Sequence, residues 1–330
     1  MGDLRSLDDV RALRELRERY HLGALLGEGR FSKVYAATPS TEACVSPSPV
    51  ALKEIALDVL EDDEEAFEML QAEIEALRHA SSHDTLGQRV VKLHEVIKTE
   101  EHVFLVLDRV PGEELFNVID SVGPLPLPTV QVIMQQLLSA LAALHDLGIV
   151  HRDIKPENLM VDGLDHPATL RLTLIDFGYA DVKCGGADLE RLAGSPEYAA
   201  PEVLSWLTEE GEPYDCRCDV WSTGITAHVL ISGGLPFEIP DDADEDEIAE
   251  IAKSAALLFD QAVWTLDGMD EPKAFVCACL TANPALRPTA HEASMHSWLT
   301  APAAPAEGSR LVSAASRAPQ DEETAGDHSC

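Results

Sequence analysis

Two short stretches combine residue types suited to holding a phosphate. GEGRFSKV (27–34) sets Gly27 and Gly29 between two runs of alternating apolar residues. Glycines there let backbone N–H groups approach an anion closely, although an ordinary hairpin turn has the same appearance. VALK (50–53) then ends an apolar run on Lys53, and the helical pattern that follows offers Glu73 as a partner. A lysine paired in this way is fixed as a phosphate ligand, whereas an unpaired one is a solvated strand end. A strand pattern, not a helix, follows the glycine turn, which removes the dinucleotide-binding fingerprint.

Other acid and cysteine clusters carry less. DADEDE (242–247) starts like a calcium loop, but Glu247 stands where the loop needs Gly and Lys253 where it needs a bidentate acid. Cys216/Cys218 and Cys277/Cys279 are spaced C-x-C, not the C-x2-C usual for zinc, and the second pair lies in a helical stretch where i and i+2 point apart. Seven cysteines and no secretory leader suggest a reducing, intracellular setting. The formal charge of -35 argues against nucleic acid or an anionic membrane as main partner. No apolar run is long enough to be read as a transmembrane segment. MGDLRS fits the N-myristoylation pattern through Gly2 and Ser6, with no basic cluster after it as a second anchor.

The elements that must position these residues change character along the chain. Residues 1–19 read as a charged helical extension with Leu7, Val10, Leu13 and Leu16 near one face. From Tyr20 to about 108, short alternating runs predict a twisted antiparallel sheet, interrupted by one amphipathic helix over 64–80. From about 112 to 299 the chain is mostly helical, with a long apolar helix over 128–148 and two short strands after it. Residues 300–330 are rich in Ala, Pro, Ser and acids and read as a disordered tail. The expected fold is α+β and bilobal: a small sheet lobe with one main helix, then a larger helical lobe, with a cleft between them.

HRDIKPEN (151–158), IDFG (175–178), APE (200–202) and DVWSTG (219–224) follow in order. Together with the glycine loop and Lys53, they make the chain from about 20 to 299 resemble the eukaryotic protein kinase family. The resemblance implies ATP and Mg2+ as cofactors. It places Leu26, Gly27, Gly29, Val34, Ala51, Lys53, Leu107, Val110, Glu114 and Met160 about the nucleotide, with Leu107 gating the pocket and Val110 at the hinge. Ser32 stands at the third glycine position of the loop. Lys53, held by Glu73, would bind the inner phosphates; Asn158 and Asp176 would hold magnesium. Asp153 would accept the proton of the substrate hydroxyl, and Lys155 would neutralise the transferring group. Leu77, Leu93, His151 and Phe177 resemble the apolar column linking the lobes, and Glu202 with Arg287 the ion pair bracing the large lobe.

Lys155 and GSPEYAAPE point to Ser/Thr rather than Tyr transfer, and the C-terminal helices resemble the calcium/calmodulin-dependent kinase group. In that group the acid at Glu114, assisted here by Glu157, meets a basic residue upstream of the acceptor. The expected partners are proteins with exposed Ser/Thr near basic residues. No calmodulin-gripping basic helix and no complete calcium loop is read from the chain. Between Phe177 and Ser195 the only hydroxyl is Tyr179. Counting back from Gly194, Arg191 occupies the usual phosphorylation position. Asp188 or Glu190 is then the expected acid opposite Arg152, and activity without phosphorylation of this segment is expected, Ser195 being part of the substrate platform. RLVS (310–313) makes Ser313 a self-phosphorylation candidate. The chain is expected in the cytoplasm, with the nucleus also compatible. A non-catalytic scaffold of the same fold is the competing reading; it would be free to lose Lys53, Glu73, Asp153, Asn158 or Asp176, and all five are present.

Overall fold

The computed structural model describes residues 16, 18–29, 32–40, 48–57, 63–99, 101–182, 189–207, 211, 213–240, 242–254 and 256–302. Gly2, Asp188, Arg310 and Ser313 lie outside them, as does nearly all of the N-terminal extension and the tail.

The small lobe is built on a five-stranded antiparallel sheet. Its strands are β1 (Tyr20–Glu28), β2 (Ser32–Pro39), β3 (Val50–Ala56), β4 (Leu93–Lys98) and β5 (His102–Asp108), in the order β1-β2-β3-β5-β4. Helix α1 (Glu64–Ser81) lies between β3 and β4 in sequence. Asp63 caps it, accepting from the Ala66 N–H at 2.9 Å, and Glu64 and Glu65 in its first turn suit the positive end of the helix dipole. Register decides what the sheet offers. Val34 and Leu105 flank Lys53 on neighbouring strands, and Leu107 flanks Ala51. Residues two apart share a face, so Val34, Ala51, Lys53, Leu105 and Leu107 project to the same side. The opposite face packs separately: Tyr20, Ala37, Val50, Leu52, Phe104 and Val106 bury there together with Leu16. The last turn of the N-terminal extension is thus docked on the sheet, and Tyr20 donates from its hydroxyl to Glu95 at 2.7 Å.

Two residues, β6 (Glu113–Glu114), open the large lobe, followed by α2 (Leu115–Val122) and α3 (Leu127–Asp146). Among the described residues α3 is the one helix long and apolar enough to cross a bilayer. Here its apolar side is buried in the lobe: Val130, Ile133, Met134, Leu137, Leu138, Leu141 and Leu144 are fully enclosed. Strand β7 (Ile149–Val150) leads into the HRD stretch, and β8 (Leu159–Asp162) and β9 (Arg171–Leu174) form a small sheet with β6. β10 (Asp181–Val182) returns to pair with β7, setting Asp181 opposite Val150. Helices α4 (Pro201–Leu204), α5 (Arg217–Ser232), α6 (Glu245–Ser254), α7 (Asp270–Cys279), α8 (Ala290–Ser294) and α9 (Ser297–Thr300) complete the lobe. The acidic run 245–247 forms the first turn of α6, with Asp244 accepting from the Glu247 N–H; these acids complement a helix start. One apolar core runs through both lobes, from Ile55 and Leu77 to Leu299.

Candidate active site

The cleft brings together residues far apart in the sequence. Lys53 on β3 donates to Glu73 on α1 at 2.6 Å and to Asp176 at 3.0 Å. Burial works against charging Lys53, but the Asp176 and Glu73 carboxylates outweigh it and raise its ammonium above the ordinary range. Burial lifts the Glu73 carboxyl, and the Lys53 charge offsets this only in part. The Lys53 charge, opposed by burial, holds Asp176 down at about 2, helped by the Gly178 N–H, which donates to Asp176 at 3.1 Å. Asp176 has φ 56° and Arg152 φ 65°, left-handed values that cost a non-glycine residue about 1–3 kcal/mol. Asp176 contacts Lys53 directly, and Arg152 immediately precedes Asp153.

Four donors converge on the Asp153 carboxylate. Asn158 Nδ2 donates to Oδ2 at 2.8 Å and Lys155 Nζ lies 3.1 Å from it. The Ser195 N–H and hydroxyl both donate to Oδ1 at 3.0 Å. Lys155 also donates to Ser195 Oγ at 2.6 Å. Asn158 Nδ2 bonds the Asp153 carbonyl as well, at 2.7 Å. With its NH2 spent on Asp153, the Asn158 amide turns its oxygen away and leaves it as an acceptor. A depressed carboxylate at Asp176 and an amide oxygen at Asn158 are hard donors that fit a magnesium ion.

The catalytic-loop backbone is anchored from below. The Asp219 carboxylate, fully buried at the start of α5, accepts from the His151 N–H at 2.9 Å, the Arg152 N–H at 2.7 Å and His145 Nε2 at 2.8 Å. His151 meets Phe177 edge to face with ring centroids 4.9 Å apart, and Leu77, Leu93, His151 and Phe177 are all buried. Gly194 has φ 86°, and a Cβ there would lie 2.2 Å from the Arg152 carbonyl. Only glycine allows the segment before Ser195 to press this closely on the catalytic loop.

Leu26 is partly exposed on β1, Gly27 pairs with Val34, and the Gly29 N–H closes the turn on the Ser32 carbonyl at 2.8 Å. A Cβ on Gly27 would meet open space. Val110 follows β5, and Met160 on β8 lies opposite Glu114 on β6. Burial and the neighbouring Glu157 raise the Glu114 carboxyl, while Asn117 donates to it at 3.2 Å. A groove of about 400 Å³ lies beside the 151–158 loop, lined by Lys155, Glu157, Ser195, Glu197, Tyr198, Val229 and the 233–235 turn. Burial, with Glu157 and Glu197 nearby, pushes the Tyr198 hydroxyl up. Arg287 forks onto both oxygens of Glu202 at 2.6 and 2.9 Å.

Of the two acids expected opposite Arg152, Asp188 lies outside the described residues and Glu190 does not meet it. Glu190 is exposed, and no ion pair joins it to Arg152 among the described residues. Instead Asp181 lies 3.5 Å from Arg152 and 3.3 Å from Arg191. The β10–β7 pairing carries Asp181 to this point, early in the segment, whereas counting back from Gly194 searches only its later half. His145 and Tyr214 also belong to the site's support and were missed; only the position of His145 at the end of the apolar helix hinted at a role.

A protein kinase domain model matches residues 20–299. A Dictyostelium discoideum protein named as a probable myosin light chain kinase is 34% identical over 285 residues, covering 86% of this chain and 83% of its own. The calcium/calmodulin-dependent protein kinase type 1 of Caenorhabditis elegans is 32% identical over 285 residues, covering 86% of this chain and 75% of its own. The mouse serine/threonine-protein kinase H1 is 32% identical over 289 residues, covering 87% and 62%.

Proposed function

The chain belongs to the protein kinase family and is an ATP-dependent phosphotransferase; from that premise we propose that it phosphorylates serine or threonine near basic residues, without a phosphate on its own activation segment. The observation that carries the reading is the Lys53–Glu73 contact together with Lys53–Asp176. These two pairs join α1, β3 and the DFG turn in the arrangement that phosphoryl transfer requires.

Magnesium would be held by Asp176 and Asn158 Oδ1 and would neutralise charge on the phosphate oxygens. The chain's own residues do the rest. Lys53 is a fixed cation for the inner phosphates, and the amides about Gly27 and Gly29 cover them. Val34, Ala51 and Leu107 offer the adenine an apolar wall on the same face as Lys53. Asp153 orients the acceptor hydroxyl and takes its proton, with Asn158 and Lys155 fixing the carboxylate. Lys155 places a cation where charge develops during transfer.

The basic preference rests on Glu157. Its Oε2 is buried with no hydrogen-bond partner, and Glu157 lines the groove beside Ser195. A carboxylate lining the groove beside Ser195 is a charge-assisted acceptor for an arginine or lysine of a substrate. Glu114 and Glu197 add negative charge nearby. Independence from segment phosphorylation rests on Arg191 at the usual phosphorylation position and on the absence of Ser or Thr between Phe177 and Ser195. The test is phosphatase-treated protein with Mg-ATP and a Ser/Thr peptide bearing arginine three residues upstream, run beside Asp153→Asn. Robust incorporation by the wild type, lost in Asp153→Asn, supports the reading. Equal incorporation by both defeats the mechanism, and a wild type silent until Ser195 or Tyr179 is phosphorylated defeats the activation claim.

A further inference from the structure

The Arg152 side chain is almost fully enclosed, with 1% of its surface exposed. It stands next to Asp153, so what holds it also holds the catalytic carboxylate. Its Nε donates to the Tyr179 carbonyl at 2.7 Å, and a terminal nitrogen reaches the Tyr214 hydroxyl at 3.4 Å. Both partners are neutral. Among the described residues the acid within reach of this cation is Asp181. The same Oδ2 of Asp181 also receives Arg191 at 3.3 Å. Two guanidinium groups, from the catalytic loop and from the later activation segment, therefore share one carboxylate.

We propose that Asp181 is a positioning residue for phosphoryl transfer: its carboxylate, clasped between Arg152 and Arg191, supplies from within the chain the negative charge that a phosphorylated segment would otherwise bring. The inference rests on the phosphorylation-independent reading above and names its cause. Three features make the clasp specific. Backbone pairing with Val150 puts Asp181 beside the strand that leads directly into His151 and Arg152. Arg191 is tied down on its other side, because the Tyr214 hydroxyl donates to its carbonyl at 2.6 Å and Leu189 exchanges backbone bonds with Tyr214 at 2.9 and 3.1 Å. From Arg191 the chain runs through Gly194 to Ser195, whose N–H and hydroxyl both reach Asp153. The clasp thus ties β10 and the 189–195 stretch to the loop that carries Asp153. Without Asp181 the two cations face each other unneutralised, and the segment and Arg152 repel.

The test compares Asp181→Asn, Asp181→Glu and the transposed pair Asp181→Arg/Arg191→Asp, all phosphatase-treated, with thermal unfolding measured alongside. Asp181→Asn is expected to lower kcat about 10- to 100-fold, the range for losing a hydrogen bond to a charged group, with little change in KM for ATP. Asp181→Glu recovers most of the activity, and so does the transposed pair, which returns a carboxylate to the cluster from the other side. A wild-type kcat in Asp181→Asn, or a transposed pair that folds but is as slow as Asp181→Asn, overturns the proposal. If the transposed pair does not fold, the glutamate variant decides: no recovery over Asp181→Asn overturns it. A dephosphorylated wild type that is inactive from the start defeats the phosphorylation-independent reading instead, so the two failures are separable.

Discussion

His145 and Asp219 meet at 2.8 Å between the end of α3 and the start of α5, and the same Asp219 oxygen accepts from the His151 backbone. Burial works against charging His145. The bonds and charges of Asp219 and Cys216 outweigh it and lift the imidazole from its ordinary 6.5 to about 10. Burial is likewise outweighed at Asp219, whose carboxyl is held low by His145. The pair therefore joins two helices of the large lobe to the loop that carries Asp153.

This contact predicts a pH-dependent stability. A group whose pKa rises on folding stabilises fully below its unfolded value and loses that contribution as pH rises through its folded value. For His145 the window is from about 6.5 to about 10. The unfolding free energy of the wild type should fall across it by on the order of 2–4 kcal/mol more than that of His145→Gln. Denaturant unfolding at several pH values measures the difference; parallel curves for the two proteins would show that the pair adds nothing.

The Lys53–Glu73 contact predicts a loss in rate, not in folding. Glu73→Gln leaves the Lys53 ammonium facing Asp176 alone, so the lysine swings off the inner phosphates. We expect kcat/KM for ATP to fall on the order of 100-fold, as for a misplaced positioning group. Glu73 is near-isosteric with Gln and Lys53 keeps Asp176 as a counterion, so the loss of stability should stay below the about 3–5 kcal/mol of a buried charge left unpaired. Steady-state kinetics beside a melting curve separates the two effects.

How much of this was legible in the chain depends on how far each contact reaches. The strand carrying Lys53 and the helix carrying Glu73 each announce themselves by period, although the strand runs on past Lys53 to Ala56. The HRD and DFG stretches are distinctive in composition and order. Asp181 is different. Its place follows from a two-residue strand pairing with another two-residue strand, too short for any period to show. Arg191 could be counted to its position, but not the acid that neutralises it. The docking of Leu16 and Tyr20 on the outer sheet face was half legible: the apolar spacing was visible, the surface it covers was not.

Helix packing predicts a sensitive glycine. A Cβ on Gly224 of α5 would lie 2.7 Å from the Cys279 Cβ and 3.0 Å from Leu280. Alanine elsewhere in a helix interior stabilises by up to about 1 kcal/mol, but overpacking a tight contact costs about 1–3 kcal/mol. Gly224→Ala should therefore lower Tm, whereas Gly27→Ala, with open space around it, should leave Tm unchanged. Calorimetry on both variants checks the contrast.

Arg287 predicts that lysine is no substitute for arginine. Beyond its fork onto Glu202 it donates to the Thr281, Arg217 and Ala282 carbonyls, and its guanidinium lies 5.1 Å from the Trp221 ring centre. An ammonium has neither the planar fork nor the reach to satisfy these acceptors. Arg287→Lys should cost about 1–3 kcal/mol, the range for leaving buried acceptors unsatisfied. Equilibrium unfolding that moves by less than about 1 kcal/mol would mean the pair is easily rebuilt.

Glu157 predicts where substrate choice is made. Glu157 lines the groove beside Ser195, and its Oε2 has no hydrogen-bond partner among the described residues. A basic side chain in this groove gains a carboxylate partner that a neutral one does not, so the gain is specific to charged peptides. Glu157→Gln converts the carboxylate to an amide of nearly the same shape and removes the reason to prefer a cation. The expected result is a KM about 10-fold higher for an arginine-containing peptide, in line with losing one hydrogen bond to a charged group. For the same peptide with alanine in place of arginine, KM should not move, and kcat should hold for both. A variant that loses both peptides equally would place Glu157 in the fold of the catalytic loop instead of in substrate recognition.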